Sequence, residues 1–438
     1  LRNALRTPRE PRAHIAALFV LATALTLLPA CPGGGGGGLF GDDIAFADMF
    51  NATGSVNAVP VRGRLVEEDD LEEANDPDTT PLDQISQDEL KNVTVTLALN
   101  VNGDAIQIGT ATTDDEGYLD ALIDVSDLDL DPGRYELEVI YDDEPVGDAL
   151  VTLLAADHDQ PIVRSDVDLT YLNTDFMSSA GLAGLVVDDA SKRDALPAME
   201  TLYQRLRGDQ GRPVTFLSGS PRFFKRTLES KMRLDRVEQD GLVLKPFKDI
   251  VTTNINDLDF DEIVPELKEQ IGYKLFWLLR LRAELPPTTP ELLMGDDSEA
   301  DVVVYALYHR LLSGQLDPDA FMDQLDQLDV AASWQADIAR VLPNVSVEPS
   351  GQVAAIYINR TGVGGEHYPV SDWSEDGLVR YHTGAWPLAL DLYEEGHLSQ
   401  QDADAVRQRL LTLGQTQDQL DAAALDADFL DPDTFEDF

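Results

Sequence analysis

The chain has 438 residues, 43% of them hydrophobic, which is enough for two ordinary domains with real cores and too much for wholesale disorder. With 32 Lys and Arg against 81 Asp and Glu, the formal net charge is -49, which repels polyanions and argues against nucleic-acid binding and against docking on an anionic membrane face. Lysine is scarce among the basic residues, so much of the acidity reads as a solvated surface suited to high salt before it reads as function.

The first segment reads as an address. Arg2, Arg6, Arg9 and Arg12 precede an apolar run from Ile15 to Leu28, short for a membrane span and of the right length for a signal-peptide core. The run ends in "LPAC", which holds the sole cysteine, Cys31, so a disulfide within the chain is excluded. "LPAC" resembles the bacterial lipobox, with Pro29 departing from its usual residue, and the resemblance implies lipidation of Cys31. The expectation is a lipoprotein signal peptide over 1–31 and a Gly-rich tether over 32–58. The body would then be lipid-anchored in a bacterial cell envelope, in the periplasm or at the outer membrane; a plain secreted protein is the alternative.

From Pro60 to Asp157 short runs alternate apolar and polar residues: "VPVRGRLV", "NVTVTLALNV", "AIQIGTATT", "GYLDALIDV", "RYELEVIYD" and "DALVTLLAA". Turn chemistry separates them at Asn102-Gly103, Asp115-Glu116-Gly117 and Asp131-Pro132-Gly133, so an antiparallel β-sandwich domain is predicted over 59–157. The acidic stretch Glu67 to Asp83 lacks the ligand spacing of a calcium loop and reads as a solvated insertion.

After Asp157 short apolar strands alternate with amphipathic helices. Strands are predicted at Ile162 to Ser165, Val214 to Leu217, Leu242 to Leu244, Leu292 to Met294 and Ala354 to Ile358, with helices in "LPAMETLYQRLR" and "IVPELKEQIGYKLFWLLRLRAEL". This half, 158–400, should be an α/β doubly wound sheet with helices on both faces and a helical insertion at about 313–350, a lid or an ornament. An acidic helix and tail would close the chain over 401–438. Ligands of such folds bind at the carboxyl ends of the strands. Asp166 and Asp168 follow the first of these strands directly, and residues two apart on extended backbone point to one side, so both carboxylates can face one ligand. The same Asp-x-Asp spacing recurs at Asp127/Asp129, Asp257/Asp259 and Asp402/Asp404, so position rather than spacing singles out this pair. Ser218 ends a second strand, and Asp296, Asp297 and Asp301 follow another.

Taken in order, "DVDLT", the Ser of "LSGSP", a lysine and "GDDSEAD" resemble the Asp-x-Asp-x-Thr phosphatases of the haloacid dehalogenase superfamily. The β-domain motifs "VRGRLV", "DDEGYLDALI" and "DPGRYELEV" ahead of "SDVDLT" narrow the resemblance to the actin-patch phosphatidate phosphatase family and its bacterial relatives, over about Pro60 to Ile358. The resemblance implies a Rossmann-like haloacid-dehalogenase domain with little or no cap behind the antiparallel β-sandwich. It implies a magnesium-dependent phosphatase (Mg2+ cofactor) working through an aspartyl-phosphate on Asp166, with Asp168 as acid and base. Asp166, Asp168 (through its backbone), Asp296 and Asp301 would hold the metal. Thr170 and Ser218 would position the phosphoryl group, and Lys274 would neutralise it, with Lys245 as runner-up and a snorkelling helix lysine as the structural alternative for Lys274. Two positions depart from the family: Leu169 stands where a further aspartate is usual, and Asp297 where a serine is.

Substrate contacts are expected from Ser218, Gly219, Arg222 and Lys274. Arg222 opens "PRFFKRTLESKMRLDR", a basic patch that would draw an anion against the global field unless acidic neighbours pair with it. Phe223 and Phe224 beside it either touch an acyl chain or pack in the core. The short segments between motifs leave no room for a large cap, so the site should be open to bulky substrates, and with the lipid tether this favours a phosphatidate-like phospholipid. A phosphoprotein or nucleotide phosphatase is the enzymatic alternative, and a non-catalytic envelope lipoprotein binding a surface partner is the other.

Overall fold

A computed structural model describes residues 44–68, 88–174, 189–208, 211–245, 270–298, 300–347, 352–362, 373, 377–427 and 429–430. Cys31, the apolar run before it, most of the Glu67 to Asp83 stretch and His367 lie outside these. Among the described residues no helix is long and apolar enough to cross a membrane.

The first body is a β-domain. Its strands are β1 (Ile44–Phe50), β2 (Ala52–Ser55), β3 (Ala58–Glu68), β4 (Asp88–Glu89), β5 (Thr94–Val101), β6 (Asp104–Thr112), β7 (Tyr118–Asp124), β8 (Gly133–Tyr141) and β9 (Glu144–Leu154). They form one hydrogen-bonded ladder in the order β1-β3-β2-β9-β8-β5-β6, with β4 and β7 also on β3. Alternating side chains of seven strands, among them Val59, Val61, Leu97, Leu99, Leu119, Leu137, Val139 and Val151, close on a single core. Two features correct the sequence reading. The strands begin at Ile44, inside the segment expected to be tether, because "IAFADMF" pairs residue for residue with β3 and buries Ala47 and Met49. The domain is also not wholly antiparallel, since β2 runs parallel to β9.

The second body is a six-stranded sheet, every neighbouring pair parallel, in the order β12-β11-β10-β13-β14-β15. The strands are β10 (Ile162–Ser165), β11 (Val214–Pro221), β12 (Gly241–Lys245), β13 (Glu291–Asp296), β14 (Val353–Asn359) and β15 (Val379–His382). Helices α1 (Met199–Arg207), α2 (Lys225–Leu234), α3 (Ile271–Ala283), α4 (Asp301–Leu312), α5 (Pro318–Gln327), α6 (Ala332–Val341), α7 (Ala385–Glu394), α8 (Gln400–Thr412) and α9 (Gln417–Leu425) cover it. Strand alternation sends Leu292 and Met294 into the core under α1, α2, α7, α8 and α9, and Leu293 into the core under α3 to α6, so both faces are covered.

Three further readings change. The segment 401–438 is not a free tail over its described part: α8 and α9 bury Val406, Leu410, Leu420 and Ala424 against α1 and α7. The stretch "RYHTGAWP" reads in sequence as an aromatic-rich loop, but its His382 ends strand β15 and is buried. The insertion at 313–350 is neither lid nor ornament, because Phe321, Leu325 and Ile338 are fully buried with α3 and α4. Gly272 permits this: a Cβ there would meet the Trp334 side chain at 2.6 Å.

The two bodies are joined by buried polar contacts. Asp240, at the start of β12, accepts from Thr152 Oγ1 at 2.6 Å through its carboxylate and from Thr53 Oγ1 at 3.2 Å through its carbonyl. Arg62 of β3 pairs with buried Glu284, and Lys225 with Asp48 at 2.7 Å.

Candidate active site

The chain leaves β10 in two directions, to β11 and β12 on one side and to β13, β14 and β15 on the other. The sheet therefore has its topological switch between β10 and β13, where parallel sheets of this kind open a crevice at their carboxyl ends. Asp166 lies just past β10, Ser218 in the last part of β11 and Asp296 at the end of β13, so the residues singled out by sequence converge there.

Carboxylate oxygens of Asp166, Asp296 and Asp301 lie within 4.8 Å of one another, and all three residues are fully buried. Asp301 reaches the cluster from the first turn of α4 by lying across Gly295, where any Cβ would collide with its carboxylate. Its Oδ2 accepts the Asp296 N–H at 3.2 Å, and the Asp296 Oδ1 accepts the Ser298 N–H at 2.6 Å. Lys274, buried on the first turn of α3, reaches Asp166 Oδ1 at 3.0 Å and Asp301 Oδ1 at 2.5 Å. This is a bridging lysine and not a snorkelling one; Lys245 ends β12, the outermost strand on that side.

Asp168 stands apart. Its Oδ2 accepts hydroxyls from Ser218 at 3.0 Å and Ser220 at 2.9 Å, and its Oδ1 accepts that of Thr174. These hydroxyls hold its carboxylate, which is not one of the three that gather around a possible metal position. Thr170 Oγ1 is buried and has no hydrogen-bond partner among the described residues. The loop carrying these groups is held in a strained turn. Leu169 has φ 56°, a left-handed conformation unusual for a leucine, and its carbonyl accepts Asn359 Nδ2 at 2.8 Å. Asp297, the other departure from the family, braces the next loop by accepting the Thr361 N–H at 2.8 Å and its hydroxyl at 2.7 Å.

Below the site, Tyr273 donates to the Ser218 carbonyl at 2.9 Å, and burial pushes its phenol well above the ordinary range, so it holds its proton and acts as a fixed donor. Arg222 lies 3.9 Å over the Tyr118 ring of β7 and makes no ion pair among the described residues. Three other members of the basic patch are partnered: Lys225 with Asp48 and Glu229, Arg226 with Asp48, and Lys231 with Asp235. Phe224 is core and Phe223 packs against it. Ser220, Thr174 and Asn359 escaped the sequence reading. Ser220 sat two residues from a named serine in "LSGSP", a signal that was available; Thr174 and Asn359 act through tertiary contacts that no local pattern announces.

The three-carboxylate cluster fits a divalent metal. It offers only hard, buried oxygen donors, the chemistry that a divalent cation such as magnesium takes.

Comparison with known proteins agrees in place and kind. No curated protein matches the chain. Two solved structures of a glycosyl hydrolase family 2 member from Bacteroides cellulosilyticus align at 10% identity with TM-scores of 0.23 and 0.22, covering 80% of this chain and 41% and 40% of theirs. The chain thus spans about two fifths of their length, and a likeness so slight carries no argument. Residues 162–317, from β10 to the start of α5, match the family model "Phosphatidate phosphatase APP1, catalytic domain", a span that holds Asp166, Asp168, Thr170, Ser218, Lys274, Asp296 and Asp301. Residues 162–317 are thus similar to the catalytic domain of the APP1 phosphatidate phosphatase family.

Proposed function

We propose that the protein is a magnesium-dependent phosphatase of haloacid-dehalogenase type, acting through an aspartyl-phosphate on phosphatidate-like lipids. The observation that carries this reading is the pairing of one buried acidic cluster around Asp166 with a separate, hydroxyl-bound carboxylate, Asp168. One group is suited to meet phosphorus and the other to move protons. Magnesium on Asp166, Asp296 and Asp301 would supply charge screening between the anionic nucleophile and the anionic substrate.

The chain's own residues supply the rest. An Asp166 oxygen attacks phosphorus, the bond to the leaving alkoxide breaks, and Asp168 in its acid form gives that alkoxide a proton. Asp168, now ionised and held by Ser218, Ser220 and Thr174, takes a proton from the water that attacks the acyl phosphate, and inorganic phosphate leaves. Thr170 has a hydroxyl to donate to a phosphoryl oxygen, and Lys274 supplies positive charge beside the nucleophile. The lipid reading is supported by the family match and by Arg222, a guanidinium with no ion-pair partner among the described residues in a chain of net charge -49. Anchoring of Cys31 in a bacterial envelope membrane would bring the site to such a substrate.

The test is phosphate release from phosphatidate in mixed micelles, p-nitrophenyl phosphate, a nucleotide and a phosphopeptide, with and without magnesium, for the protein and its Asp166→Asn variant. Magnesium-dependent release that vanishes in the variant, fastest with phosphatidate, is expected. Faster turnover of the peptide or nucleotide would remove the lipid assignment, and undiminished activity in the variant would remove the mechanism.

A further inference from the structure

Gln270 caps the amino end of α3, one turn ahead of Lys274, whose N–H donates to its carbonyl at 2.8 Å. Residues four apart share a helix face, so the glutamine is on the side of α3 that meets the site. Its carboxamide lies flat against Gly219, between the two serines that hold Asp168: a Cβ on Gly219 would sit 2.9 Å from Cδ and Nε2 and 3.1 Å from Oε1. The absence of a side chain at 219 is what admits the amide. Gln270 is 6% exposed, and its Oε1 is buried without a hydrogen-bond partner among the described residues. A buried, unsatisfied amide is destabilising, and methionine would fill the same space without that penalty. The polar group therefore sits where packing does not ask for it, beside the turn assigned to phosphate.

We propose that Gln270 is a substrate-binding residue whose carboxamide donates Nε2–H to an oxygen of the phosphoryl group held at Gly219. Rotation about Cγ–Cδ exchanges the two ends of the amide, and an anionic phosphoryl group, which offers only acceptors, selects the nitrogen. The inference rests on the phosphatase reading and adds a contact which that reading does not contain.

The experiment uses the full chain with magnesium, p-nitrophenyl phosphate as substrate and inorganic phosphate as competing ligand. Gln270→Met, which keeps the volume, should raise KM and the phosphate inhibition constant roughly tenfold, the size of a lost hydrogen bond to a charged group, while unfolding at the same or a higher urea concentration. Gln270→Glu should raise both further, and lowering the pH through the glutamate pKa should return part of the loss. A purely structural glutamine would shift the unfolding midpoint and leave KM and phosphate inhibition within about twofold in both variants; that result, with an active parent protein, overturns the inference and leaves the phosphatase reading standing. A parent protein that releases no phosphate and is not inhibited by it would overturn the phosphatase reading, and the inference with it.

Discussion

Replacing Lys274 with methionine is the sharpest test of how the acidic cluster is held. The ammonium is fully buried, 3.0 Å from Asp166 and 2.5 Å from Asp301, and Asp296 completes a group of three buried carboxylates. Removing one partner from a buried pair costs about 3–5 kcal/mol, because the other charge stays desolvated and unpaired. Lys274 serves two carboxylates, so a loss of about 4 kcal/mol is expected, a large share of the 5–15 kcal/mol typical of a domain. Urea unfolding followed by tryptophan fluorescence suits the measurement, since Trp277 lies three residues further along α3 and is buried. With metal chelated, Lys274→Met should show the full loss. Magnesium should restore much of it by binding the folded cluster and not the unfolded chain. Asp301→Asn added to Lys274→Met should recover about half of the loss, because it removes one of the two stranded charges. A Lys274→Met loss below about 1 kcal/mol, the size of an exposed ion pair, would refute the premise that this is a buried, charge-coupled site.

Three further outcomes follow from particular residues. Burial holds His382 neutral, pushed down to about 4 against an ordinary value of 6.5, while its Nδ1 lies 2.9 Å from the Gly384 carbonyl. The unfolded chain binds the proton first, so stability falls as pH drops from 6.5 towards 4; His382→Asn, which keeps a donor for that carbonyl, should lose about 2–3 kcal/mol less than the parent between pH 7 and pH 4.5 in urea titrations. Leu169 holds a left-handed φ of 56° without a side chain suited to it, so Leu169→Asn should raise stability by about 0.5–1 kcal/mol, read as a higher urea midpoint at unchanged slope. Tyr118→Leu takes the ring from beneath Arg222, a contact worth about 1 kcal/mol, and should raise KM for an anionic monoester several-fold at unchanged kcat; an unchanged KM would place Arg222 outside substrate binding.

Much of this protein was legible in residue order because the determining physics is local. Turn residues and period-two alternation marked β3 and β5 to β9, and short apolar runs marked β10 to β14. Once β10 was recognised, Asp166 and Asp168 had to emerge at its carboxyl end, and the same holds for Asp296 after β13. The strand that sequence missed, and the C-terminal helices whose burial it did not give, draw their stability from elsewhere. β1 is a strand because β3 offers it an edge, and α8 and α9 are core helices because α1 and α7 cover their apolar faces. Neither fact is written in the segments themselves.

Within the site the division follows the same physics. Residue types and spacing determined which groups have chemistry to offer: carboxylates after strands, a serine, a lysine on a helix. Only the tertiary structure decided their roles, since a carboxylate's behaviour depends on what surrounds it in a few ångströms. It placed Asp168 among three hydroxyls and Asp166 against Lys274, although the two aspartates are separated by a single valine. It paired Lys225, Arg226 and Lys231 with Asp48, Glu229 and Asp235 and left Arg222 stacked on a ring from the other domain. Sequence order determines the inventory of charges and hydroxyls; burial and through-space partners, which join residues as far apart as Leu169 and Asn359, 190 positions, decide which of them can react.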